Sequence, residues 1–281
     1  MRLRSMFLKN LFLTVVARFT GTFSLLILSC VLVAAPVAWA ENEFGVVELV
    51  EGKVSVIDTK GQTRLVHVND KIIEGETIMT GRDGELHVRT DDHGYMAFRP
   101  NSKVLVESYR AKGDKDDGVI MSMAYGAMRS ITGWIGRNNA NHYAIRTPSA
   151  TIGIRGTDHE PLHIPIPGPG EKAVGGEPGT YEKVNSGSTS LKNPAGEVII
   201  NAGQFAYVSH DPKKPPKKVD RAPEAYRRTM NEAKIEARKE ELTKEVEQHR
   251  IDKQKASEAK EEAEQKSPPA TKKKHKAPVV K

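Results

Sequence analysis

Hydrophobic positions fall into three regimes along this chain. Residues 21–37 form one continuous apolar or small run, centred on Leu25, Leu26, Ile27, Leu28, Val31, Leu32 and Val33. From 44 to about 209, apolar residues come in short β-favouring bursts. Val46-Val47-Glu48-Leu49-Val50, Lys53-Val54-Ser55-Val56-Ile57, Arg64-Leu65-Val66-His67-Val68 and Lys103-Val104-Leu105-Val106-Glu107 are examples. In Glu85-Leu86-His87-Val88-Arg89 they alternate with polar residues at the period of two that a half-buried strand needs. Turn signals separate the bursts at intervals of roughly ten residues, the spacing of an all-β sandwich or short β-roll or solenoid. Prolines and glycines crowd 161–180, which predicts a long surface loop. Strand signals then return at 180–184, 197–200 and 204–208.

The third regime follows a Pro/Lys-rich linker at 210–223. Residues 224–266 are rich in Glu, Lys, Ala, Arg and Gln, a composition that favours helix, and Pro223 suits its first turn. The apolar residues Met230, Ile235, Leu242, Val246 and Ile251 are too sparse for a regular heptad seam. The pattern therefore predicts a solvated charged helix, serving as a spacer, ahead of a coiled coil. Residues 267–281, with Lys272-Lys273-Lys274-His275-Lys276, read as a disordered basic tail.

Charge sharpens this division. The 281 residues carry a net +7, but residues 1–40 hold four bases and no acid, and residues 211–281 hold 21 bases and 14 acids. The middle, 41–210, has 18 bases and 22 acids. A mildly acidic body argues against a nucleic-acid-binding core. The tail suits anionic envelope polymers or lipid head groups. The single cysteine, Cys30, excludes a disulfide scaffold and cysteine-based metal sites. One long apolar run excludes a multi-span membrane protein.

Arg2, Arg4, Lys9 and Arg18 precede the apolar run, and Ala38-Trp39-Ala40 follows it with small residues at Ala38 and Ala40. This is the order of a secretory signal, with cleavage expected after Ala40. Residues 1–40 are therefore expected to be a signal peptide and the protein periplasmic or otherwise exported. The alternative is an uncleaved inner-membrane anchor at 19–40.

Three further segments form a pattern. The first is Gly45-Val46-Val47 through Gly52-Lys53-Val54-Ser55-Val56, followed by Glu74-Gly75-Glu76-Thr77-Ile78-Met79-Thr80-Gly81. The second is Gly94-Tyr95-Met96-Ala97-Phe98-Arg99-Pro100-Asn101-Ser102, then Tyr125-Gly126-Ala127-Met128-Arg129. The third, and most specific, runs from Ile145-Arg146-Thr147-Pro148 to Gly153-Ile154-Arg155-Gly156-Thr157. Together they resemble the FecR domain, an all-β module that bacteria place outside the cytoplasmic membrane. The resemblance spans about 44–160 and implies a β domain over 41–209. In the family's founding members the domain senses a loaded outer-membrane transporter, and the chain contacts a sigma factor in the cytoplasm. Only residues 1–20 precede the apolar run here, which departs from that plan.

Within the third segment, Thr147, Pro148, Gly153, Gly156 and Thr157 read as structural, the proline setting a strand entry and the glycines allowing tight backbone. Arg155 offers a bidentate contact to a carboxylate. Asp158-His159-Glu160 follows it, and these four are the candidate partner-binding residues. His159 and His163 share a strand face, yet no further spacing supports a metal site, so neither metal nor cofactor is expected. No serine lies in a Gly-x-Ser-x-Gly setting, and no catalytic residue is assigned. The expected function is an exported, non-enzymatic envelope protein that binds an envelope protein or acts as a scaffold. The rivals are a transmembrane transducer coupled to a sigma factor and a metal- or glycan-dependent enzyme.

Overall fold

The computed structural model describes residues 42–173, 175–226 and 231–266. The expected signal peptide with its Ala38 and Ala40, and the basic tail of 267–281, lie outside the described residues.

The chain forms β1 (Glu43–Glu51), β2 (Val54–Ile57), β3 (Thr63–Leu65), β4 (Lys71–Ile73), β5 (Thr77–Thr80), β6 (Glu85–Thr90), β7 (Tyr95–Phe98) and β8 (Lys103–Arg110). A long β9 (Gly118–Ile131) leads into a short helix α1 (Trp134–Asn138), then β10 (Tyr143–Arg146), β11 (Thr151–Ile164), β12 (Gly179–Asn193), β13 (Gly196–Asn201), β14 (Phe205–Ser209) and β15 (Lys217–Val219). Helix α2 (Glu232–Lys266) ends the described chain. All the strands join one mixed sheet, in which only β9 and β10 pair in parallel among the described residues. The all-β body followed by a charged helix is as the hydrophobic pattern predicts.

Three strands are too long for one layer, and glycines bend them. The first half of β9 pairs with β8 and β10, and its second half pairs with β7 and β11. The change of partner falls at Gly126, whose φ is +101° and where a Cβ would lie 2.4 Å from the Ser102 Cα. β11 and β12 bend side by side, at Gly156 (φ +59°) and Gly187 (φ +79°), where the register slips between Arg155 and Asp158. A Cβ on Gly187 would meet the Gly156 carbonyl oxygen at 2.3 Å. Bends of this kind let one strand serve two packed layers. The two layers touch through Phe44 stacked edge-on against Tyr109 at 5.1 Å and Ser130 hydrogen-bonded to Tyr143 at 3.2 Å. Val47, Val88, Met96, Phe98, Met121, Met128, Ile145, Ile152, Val184 and Leu191 fill the core between them.

Several expectations need correction. β11 continues through Pro161 to Ile164 and β12 starts at Gly179, so the irregular loop is 165–178 rather than 161–180. The ladder from β11 to β9 skips Glu160 and Pro161, because proline has no N–H to donate. The linker contains β15, which pairs with β14. Helix α2 begins at Glu232 rather than 224: Pro223 opens a turn, with Tyr226 N donating to its carbonyl at 3.0 Å, and Tyr226 is held by its hydroxyl on the Glu160 carbonyl at 2.7 Å. Nor is the helix solvated all round. Ile235, Leu242 and Val246 are buried against the sheet, so three apolar side chains suffice to dock it. Among the described residues no helix is long and apolar enough to cross a membrane.

The bend at Gly126 gives a direct test. Gly126→Ala adds both a disfavoured φ and a clash, whereas Gly203 (φ +78°) has open space around its Cβ position. Urea unfolding is expected to show a loss of about 1 kcal/mol for Gly203→Ala. Gly126→Ala is expected to lose several times more, and equal losses would remove Gly126 as the corner.

Candidate functional site

β7, β9, β11 and β12 place a row of charges on one face of the sheet. Alternation along the strands sends Arg129 of β9, Asp158 and Glu160 of β11, and Lys183 and Asn185 of β12 to the same side. Arg99, just past β7, joins them. Four of these side chains belong to residues that are almost fully buried: Arg99 (5%), Arg129 (2%), Asp158 (1%) and Glu160 (3%).

Buried charges persist only when paired and hydrogen-bonded. Arg129 grips Asp158 with both arms of its guanidinium, Nε to Oδ1 at 2.8 Å and Nη2 to Oδ2 at 2.7 Å. Arg99 donates to Glu160, and Lys183 Nζ donates to the other oxygen of Glu160 at 2.6 Å. Asn185 Nδ2 bridges the two carboxylates at 3.1 and 2.9 Å.

Helix α2 lies across this furrow and completes the network. Glu232 and Glu236, one turn apart, both accept from Arg129, at 2.5 and 2.6 Å. Lys239 Nζ donates to Asp158 at 2.6 Å. Further along, Arg238 reaches Glu48 of β1 at 3.2 Å, and Glu48 also accepts from Arg89 of β6 at 2.9 Å. His93, in the turn between β6 and β7, meets Glu245 at 3.1 Å. Between these ion pairs, Ile235 and Leu242 pack on Tyr95, Ala97 and Ile131. Burying three aliphatic side chains of α2 contributes roughly 1.5–3 kcal/mol each as an upper bound. The ion pairs add mainly specificity of register, because desolvation offsets most of their attraction.

The same network sets the acidity of its carboxyls. Burial pushes Asp158 up, but the hydrogen bonds from Arg129, Lys239 and Asn185 and the Arg129 charge outweigh it and hold the group at about 2. Glu160 is likewise held below its usual value: burial opposes, and Arg99, Lys183 and Asn185 prevail.

The sequence candidates are thus divided. Asp158 and Glu160 form the floor of the furrow and are covered, not displayed. His159 points to the opposite face, into the core, where Nδ1 meets Glu182 Oε1 at 2.7 Å. Arg155 alone is exposed, at the bend, where its backbone pairs with Ser188 and its side chain makes no hydrogen bond or ion pair to a described residue. Thr147 closes the β10–β11 hairpin by accepting from Ala150 N at 3.0 Å, and Pro148 occupies the turn. Gly153 lies where a Cβ would meet Ser190 Oγ at 2.8 Å. Thr157 N donates to Thr132 Oγ1 at 2.8 Å, tying the β11 bend to the end of β9. His163 lies four residues beyond His159, about 13 Å along a strand, so the two cannot share one ion. Among the described residues no group of three or more His, Cys, Asp or Glu side chains is placed to hold a metal.

Sequence reasoning assigned no role to Arg99 and Arg129. Each ends an otherwise apolar stretch, Tyr95-Met96-Ala97-Phe98-Arg99 and Ala127-Met128-Arg129. A base in a core-facing strand implies a buried acid nearby, and the alternating acids of Asp158-His159-Glu160 supply it.

Two measurements test this arrangement. Arg129→Met alone is expected to destabilise the chain by about 3–5 kcal/mol, and Arg129→Met with Asp158→Leu to recover most of that loss. Stability should also fall with pH in two steps. Burial, with a smaller contribution from the His210 charge, pushes His163 down to about 4 from 6.5, so stability drops as pH falls from 6.5 towards 4. Asp158 lies below its ordinary 3.8, so its contribution is full above pH 3.8 and lost on falling towards 2. Urea midpoints against pH should lose the upper step in His163→Gln and the lower step in Asp158→Asn.

Residues 76–162 match the family model described as FecR protein. No curated protein matches the chain. Among solved structures, a cell surface anchoring domain is similar at 29% identity and a TM-score of 0.22, over 22% of this chain and 82% of that one. Two crystal structures of "a putative anti-sigma factor" from Parabacteroides distasonis are similar at 12% and 13% identity, both with a TM-score of 0.38. Each match covers 51% of this chain and 60% of theirs. The floor of the furrow at Arg99, Arg129, Asp158 and Glu160 falls inside the matched segment and its helical cover falls outside: residues 76–162 are a FecR domain.

Proposed function

We propose that this chain is an exported, non-enzymatic protein of the cell envelope whose β domain, over 41–209, binds a protein partner. The observation that carries the reading is the grip of the sheet on α2. A face of β7, β9 and β11 holds a helix by side-chain-specific ion pairs, which is the chemistry of protein recognition. The order of charge, apolar run and small residues in 1–40 supports export. The exposed Arg155 at the bend of β11 stands beside the furrow and supplies an arginine of the kind enriched at protein interfaces. The basic tail would hold the chain near anionic polymers or lipid head groups, leaving the β domain free to meet its partner.

Photo-crosslinking in living cells tests this, with probes at Arg155 and Glu236 and a control at the exposed Lys213. A discrete protein adduct from Arg155 or Glu236, absent at Lys213, on a chain beginning at Glu41, is expected. Absence of an adduct at both probes would overturn the binding role. An intact N-terminus in the inner membrane would replace the soluble module with the anchored transducer.

A further inference from the structure

One face of the sheet is covered in two different ways. Over β11, β12 and β14 it is apolar: Leu162, Ile164, Tyr181 and Tyr207 are packed under Ala173, Val219, Ala225 and Tyr226. Over β7, β9 and β11 it is ionic, and the cover is α2. Uncovering the first half would place a patch of large apolar side chains in water. Uncovering the second would bare a floor in which every charge already has a partner within the sheet. Asp158 keeps Arg129 and Asn185; Glu160 keeps Arg99, Lys183 and Asn185. The apolar surface released is that of Tyr95, Ala97 and Ile131 beneath Ile235 and Leu242, with the contact of Val246 on the main core. A permanent cover is made more cheaply from apolar packing than from buried ion pairs. An ionic furrow that is satisfied both covered and bare suits a cover that comes and goes.

We propose that the furrow is a docking site for a helix of a second protein and that α2 is its built-in competitor. This deepens the binding role given above and rests on it. The contacts of α2 specify the guest. It carries two carboxylates one turn apart, in the places of Glu232 and Glu236, for the single guanidinium of Arg129. It carries a base one turn further on, in the place of Lys239, for Asp158. Apolar side chains in the places of Ile235 and Leu242 fill the strip beside Ala97 and Ile131. Such a helix binds only when α2 leaves, so occupancy of the furrow reports whether α2 is docked. The sites that hold α2 are those the guest must take, which makes the two states exclusive.

The test uses the full exported chain and a fluorescent peptide of residues 231–248, Asn-Glu-Ala-Lys-Ile-Glu-Ala-Arg-Lys-Glu-Glu-Leu-Thr-Lys-Glu-Val-Glu-Gln. The comparison variant is Glu232→Lys with Glu236→Lys, changes on the helix that leave the sheet intact. Amide exchange across 232–248 should accelerate in the variant. The peptide should bind the variant about 10-fold tighter than the unaltered chain, whose own helix competes at high effective concentration. A peptide with the same two Glu→Lys changes should not bind, and affinity should fall as salt rises. Unchanged exchange in the variant, or equal binding by the two chains, would overturn the competitor role. Fast exchange without peptide binding would overturn the docking site; adducts persisting at Arg155 would then leave the broader binding role standing. A doubled mass for the unaltered chain that is lost in the variant would assign the furrow to a second copy and overturn the proposal as drawn.

Discussion

The pairing of Arg129 with Asp158 is the contact on which this face of the protein depends. Asp158 of β11 is in register with Ile131 of β9, so Arg129 lies two residues along the neighbouring strand, on the same side of the sheet. That placement lets the guanidinium meet the carboxylate with two parallel hydrogen bonds, the geometry in which an arginine tolerates burial. Neither charge is stable there without the other. Once they are paired, the free donors of Arg129 still point outward, and the two glutamates of α2 meet them. The helix therefore docks on a charge that the sheet has already stabilised.

The bends position this pair. Gly126, Gly156 and Gly187 turn three adjacent strands together, so the second halves of β9 and β11 and the first half of β12 form one surface beside β7. The first halves of β9 and β11 and the second half of β12 enclose the core with β8, β10 and β13. Without the bend in β11, alternation would carry Arg155 and Asp158 along one straight ladder and place them on opposite faces. The register slip between them changes that relation, leaving Arg155 at the exposed corner and Asp158 under the helix. A single tetrapeptide thus holds one exposed charge and one buried charge for a geometric reason.

Strand alternation and turn spacing made the β body legible, down to individual strands such as Glu85–Thr90 and Lys103–Arg110. The Gly-x-x-Gly-Thr stretch around Arg155 also pointed to the matched family segment. β9 was harder to see. Its second half, Ala-Tyr-Gly-Ala-Met-Arg-Ser-Ile, has a single β-branched residue, Ile131, because a bent strand packed on both faces selects small and flexible side chains. Burial of Asp158 and Glu160 was not legible either. Charged residues in a strand read as a solvated edge, and only the positions of Arg99 and Arg129 on neighbouring strands reverse that reading. These partners are 29 or more residues away in sequence from the acids they neutralise.

The same reversal explains the helix. Its surface looks too polar to pack, since hydrophobic spacing detects only helices that dock on apolar ground. Here the ground is itself ionic, so the complementary helix face is written in Glu, Arg and Lys, with Ile235 and Leu242 as its apolar anchors. A charged face of this kind gives up little by facing water, and the floor beneath it gives up little as well. The free-energy difference between docked and undocked states is therefore governed by a few aliphatic side chains and by the match of charges in register. A second helix with the same register needs to supply only those terms to take the place of the first.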